Sequence, residues 1–98
     1  MSVDSNHARK ALVAFVIESV LLKISKTALN QVSNTLYEEH HCYFGDCYEH
    51  PEYLAKALKD LFGKSHIVIV ESIKKELMDF TEYESIEKFI TVISQSKK

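Results

Sequence analysis

Glycine, proline, arginine and tryptophan are nearly missing from this chain of 98 residues, which has two glycines, one proline and no tryptophan. Each scarcity removes a class of function. Two isolated glycines, Gly45 and Gly63, cannot build the glycine-rich loop that cradles a phosphate. A single arginine, Arg9, leaves little of the side chain best suited to bidentate phosphate contacts. The net charge of −2 gives no strong field toward nucleic acid or an anionic membrane. Two cysteines do not make a disulfide framework, and neither a nucleophile elbow nor a zinc-protease helix motif occurs. No cofactor is expected, and the chain is read as no enzyme.

Long apolar runs are also missing. The longest greasy stretch, Ala11 to Leu22, contains Glu18 and Ser19 and is too short to span a bilayer. The opening "MSVDSNHARKALVAFV" lacks the form of a secretory signal, so the expected location is the cytoplasm, with the cysteines reduced.

What is present is helical periodicity. The 46% apolar content suits a folded globule, and a chain this long can bury roughly two-thirds of its unfolded surface. One all-α domain over 1–98, with about five helices, is expected. In the first helix, positions 13, 16, 17, 20, 21 and 24 form one stripe, with Asp4, Ser5 or Asn6 as cap. Positions 11, 12, 14, 15 and 22 are apolar too, which points to a core-central helix or one half buried in a partner. Ser25 opens a second helix, with Leu29, Val32 and Leu36 on one face. Pro51 fits the first position of a third, with Leu54, Leu58 and Leu61 inward and Gly63 as its stop.

Ser65 is the expected cap of a fourth helix carrying Val70, Ile73 and Leu77. Its opening "HIVIV" has strand composition, but no second candidate strand exists to pair with it, so helix is preferred. His66 is read there as a first-turn residue. Ser85 begins a fifth helix, with Ile86, Phe89, Ile90 and Ile93 inward, and the tail "SQSKK" is expected to fray. Lys74 and Lys75, with Lys10, could touch nucleic acid, but a solvated helix face accounts for them more simply.

The sharpest local departure is "HHCYFGDCYEHPEY", residues 40–53. From Thr27 to Ala55 there is no lysine or arginine, while Glu38, Glu39, Asp46, Glu49 and Glu52 fall inside. His41, Cys42, Cys47 and His50 could supply four zinc ligands, although zinc knuckles usually space their ligands two to four apart. A redox pair is the second chemical reading. Cys47 precedes a helix N-terminus, which favours thiolate, but Asp46 and Glu49 oppose it. The simplest reading is structural. His40 and His41 sit in the last turn of one helix, and Glu49 and Glu52 at the start of the next, as the helix dipoles favour. Gly45 supplies the turn, and buried cysteines with tyrosine rings pack the corner.

"HCYFGDCYEHPEYLAKALKDLFG", followed by "IVESIKKEL", resembles a small domain family of ammonia-oxidising archaea, the Nitrosopumilus-type output domain. The resemblance covers most of the chain, from "FVIESVLLKI" to "IEKFITVI". It implies an archaeal output domain in signal transduction and carries no catalytic residues with it.

The leading expectation is therefore a non-catalytic regulatory or protein-interaction module. Its partner would be another protein or a second copy, as a homodimer through the first helix, with neither nucleic acid nor membrane as partner. Glu38, Glu39, Tyr43, Phe44, Asp46, Tyr48 and Glu49 are the candidate partner-binding residues. The alternative is a metal-binding or thiol redox-sensing domain at Cys42 and Cys47.

Overall fold

A computed structural model describes residues 5–94, and within them the chain forms five α-helices and no strand. They are α1 (Ser5–Ile24), α2 (Lys26–His40), α3 (Pro51–Phe62), α4 (His66–Leu77) and α5 (Glu84–Ser94). Short 3-10 segments, Phe44–Tyr48, Gly63–Ser65 and Met78–Phe80, make the connections. The expected cap at Asp4 lies outside the described residues, as does most of the tail. The segment "HIVIV" lies in α4, as the lack of a pairing strand required.

The buried face of α1 is Val13, Val16, Ile17, Val20 and Leu21. Ile24 belongs to the same stripe by period but is 51% exposed, because it stands in the last turn. Opposite α1 the core is filled by Val32 and Leu36 of α2, Leu54 and Leu58 of α3, Ile73 and Leu77 of α4, and the α5 residues Ile86, Phe89, Ile90 and Ile93. Leu61 departs from expectation in the same way, 37% exposed at the end of α3.

Several helix ends follow local chemistry. The Ser25 hydroxyl accepts the Ala28 N–H at 3.0 Å, a side-chain cap for α2. Pro51 begins α3, where its missing N–H costs nothing. Gly63 ends α3 with φ 56° and ψ −131°, a conformation that side-chain-bearing residues avoid. Ser65, by contrast, makes no side-chain cap. The ring of His66 does the local bonding instead, with Nδ1 at 2.8 Å from the Gly63 carbonyl.

The turn after α2 is also built differently from expectation. Gly45 does not have a positive φ and lies inside the Phe44–Tyr48 3-10 segment. The left-handed residue is His41, with φ 53° and ψ 39°. Its N–H reaches the Tyr37 carbonyl at 2.8 Å, so His41 ends α2 as a backbone cap rather than as a residue of the last turn.

Candidate functional site

The corner of residues 40–53 is held by its interior. Phe44, Cys47 and Tyr48 are buried on one side of the 3-10 segment, and Cys42 is buried just before it. This segment packs chiefly on α1. Asp46 closes the turn by accepting the Tyr43 N–H at 2.9 Å, while its own N–H donates to the Tyr43 carbonyl at 3.0 Å. On the α3 side, His40 stacks on Tyr53 at 3.8 Å, and His50 stacks on the same ring at 4.8 Å. The tyrosine thus ties the end of α2 to the start of α3. Nε2 of His40 is buried without a hydrogen-bond partner, its nearest acid being Glu39 at 4.0 Å.

The acidic character of the stretch is partly cancelled from outside it. Lys10 of α1 lies 3.6 Å from Asp46 and 3.9 Å from Glu49, so this lysine is directed at the corner. Arg9 donates to the Tyr48 hydroxyl at 3.2 Å and stands over the Tyr83 ring at 4.9 Å from its centroid. The Tyr48 hydroxyl in turn donates to Ser85 at the start of α5. Arg9, Lys10 and Ser85 do not stand out in the sequence as parts of this corner, because their partners are tens of residues away.

The candidate partner-binding residues divide in two. Glu38, Glu39, Tyr43 and Glu49 face solvent, Asp46 is half-buried, and Tyr43 is 65% exposed beside the exposed Tyr37. Phe44 and Tyr48 are turned inward and buried, so they anchor the corner and are not presented to a partner. The four proposed metal ligands divide likewise. His41 and His50 are exposed while Cys42 and Cys47 are buried, and among the described residues no three His, Cys, Asp or Glu side chains gather as metal ligands.

The cysteines are free and both are buried. Each also points at a carbonyl, Cys42 at Leu36 (3.9 Å) and Cys47 at Tyr43 (3.8 Å). Burial pushes both thiols up from the ordinary value, and the negative charge of Asp46 adds to it. For Cys42 the neighbouring Cys47 thiol works in the opposite direction. The helix-terminus effect expected to favour thiolate at Cys47 is outweighed, and its thiol is held strongly protonated.

A second surface lies on the outward side of α1. Ala8, Ala11, Phe15 and Leu22 share one exposed stripe at helical spacing, interrupted by the exposed Glu18, with Phe15 67% and Leu22 54% exposed. At the C-terminal end of α1 a groove of about 360 Å³ runs against α4, with Ile24 and Val68 beside Lys23 and Lys75. Among the described residues no helix is long and apolar enough to cross a membrane. No family model, curated protein or solved structure matches this chain.

Proposed function

We propose that the protein is a small non-catalytic regulatory module that works by protein contact, first with a second copy of itself through the outward stripe of α1. The observation that carries this reading is Phe15, a large aromatic side chain 67% exposed near the middle of the longest helix. Leu22 lies on the same face two turns on, beyond the exposed Glu18, and Ala8 and Ala11 flank Phe15 on the other side with small side chains. Leaving such a stripe in water is unfavourable by about 25 cal/mol for each square ångström of apolar area. Aromatic side chains at the centre of a patch are the residues that carry most contact energy when covered.

The placement of Phe15 suits a two-fold axis. With α1 running antiparallel to its copy about Phe15, Leu22 of one copy meets Ala8 of the other, large against small. A two-fold contact of this kind is the commonest closed assembly. An output role in signal transduction, as the resemblance implies, would then operate through pairing and unpairing of this face.

Dilution mapped by backbone amide NMR tests the reading. The amides of Ala8, Ala11, Phe15 and Leu22 should shift together as concentration falls, while those of the α3 core stay fixed. Shifts confined to the 40–53 corner would transfer the contact to that surface.

A further inference from the structure

We infer that the groove between the C-terminal half of α1 and α4 is a binding site for an aliphatic carboxylate of medium chain length. Its volume of about 360 Å³ lies in the range of small-molecule sites. The floor is the buried pair Val20 and Ile69, and Ile24 and Val68 stand over it, 51% and 68% exposed. Among the described residues lining the groove none is aromatic, so it offers contact to a flexible hydrocarbon chain but gives a flat ring nothing to stack on. Val20 and Ile24 lie on the opposite side of α1 from Phe15, so the site is independent of the contact assigned to that helix.

The polar groups are ordered along α4. Val68 and Ile69 stand in its first turn, Ser72 follows one turn on, and Lys75 nearly a turn beyond, positions that share one face at helical spacing. At 1.5 Å per residue, Val68 and Lys75 are about 10 Å apart along the helix axis. An amphiphile laid in the groove therefore has its tail at the Val68 end and its head at Lys75. The charges decide the sign of that head. Lys23 and Glu76, the other two charges of the lining, pair with each other at 3.6 Å between the two helices. Among the described residues no carboxylate stands within ion-pair distance of Lys75, so its ammonium is the charge left for a ligand. One ammonium matches one singly charged carboxylate, with the Ser72 hydroxyl as a further donor.

Titration of the folded 98-residue chain with decanoate, followed by backbone amide NMR, tests this. Decanoate should give saturable shifts at Val20, Ile24, Val68, Ser72 and Lys75, with a dissociation constant of about 100 µM for a ligand of this size. Decylammonium has the same tail and the opposite head charge, and should bind about fivefold more weakly, the worth of an exposed ion pair. Lys75→Glu should reverse that order. Val68→Ser, at an exposed position, should weaken both ligands about tenfold and leave the dichroism spectrum unchanged. Decanoate shifts that do not saturate at millimolar concentration, or that spread to Phe15 and the 40–53 corner, overturn the inference. So do equal affinities for the two head groups, or a Lys75→Glu chain that keeps the wild-type preference. Movement of the groove amides on dilution alone would seat a second copy there and overturn it too.

Discussion

Arg9 and Tyr48 are joined by a hydrogen bond of 3.2 Å across 39 positions of sequence. It links the first turns of α1 to the 3-10 segment after α2, and through the Tyr48 hydroxyl to Ser85 of α5. The one arginine of the chain is therefore spent on internal architecture, with the Tyr83 ring beneath it. Arg9→Ala should destabilise by about 1–2 kcal/mol, from a part-buried charged hydrogen bond and a cation–ring contact. Tyr48→Phe should cost a similar amount, and the double variant should cost less than the sum. Urea unfolding of the four chains gives the coupling, expected at about 1 kcal/mol; full additivity would show that the bond contributes nothing.

The 40–53 corner is anchored by packing. Phe44 is buried, and Tyr48 and Cys47 lie with it in the core cluster. Phe44→Ala should lower stability by about 3 kcal/mol with the helical content retained. A chelator should leave the wild-type melting temperature where it is. A sharp fall on adding the chelator would mean that a metal holds the corner.

Gly63 and Gly45 should respond oppositely to alanine. At Gly63 the positive φ of 56° with ψ near −131° is strained for any side chain, although there is open space for the methyl group. The cost should be about 1–3 kcal/mol. At Gly45 the new methyl group would meet the Lys10 side chain at 3.6 and 3.7 Å, which is ordinary contact. Its effect should stay within about 0.5 kcal/mol. Thermal unfolding of the two variants reads the contrast directly.

Alkaline pH should weaken the fold through Cys47. Its folded thiol is raised above the ordinary value of 9.0, first by burial and then by the charges of Cys42 and Asp46. The unfolded thiol loses its proton near 9.0 while the folded one keeps it, so the contribution is complete below that pH and is lost as pH rises above it. Cys47→Ala lacks this contribution. The stability gap between wild type and variant should therefore narrow from about pH 8 to about pH 10, with the rest of the alkaline titration common to both. A constant gap in urea unfolding across that range would contradict the assignment.

Much of the fold is legible as period. Val13, Ile17 and Leu21, or Ile86, Phe89, Ile90 and Ile93, recur at helical spacing and are buried as that spacing requires. Ile24 and Leu61 keep the same period yet are exposed, because period says which side faces inward and not where the core ends. His41 illustrates a different limit. Gly45 is the obvious turn residue, but the left-handed position falls at the last carbonyls of α2, four residues earlier. Lys10 on Asp46 and Arg9 on Tyr48 depend on how α1 docks against the corner, which no local pattern encodes. The candidate list for the corner mixed inward and outward residues for the same reason: a five-residue 3-10 segment is too short to show its buried side in sequence.

Multi-angle light scattering on a size-exclusion column, over a micromolar concentration series, tests the central claim most directly. The chain mass is 11.3 kDa, and the wild type should approach twice that value as concentration rises. Phe15→Glu should hold the single-chain mass with an unchanged far-ultraviolet dichroism spectrum, since Phe15 faces outward and contributes little to the core. A wild-type mass of 11.3 kDa throughout the series, or a Phe15→Glu chain that pairs as well as the wild type, would contradict the account.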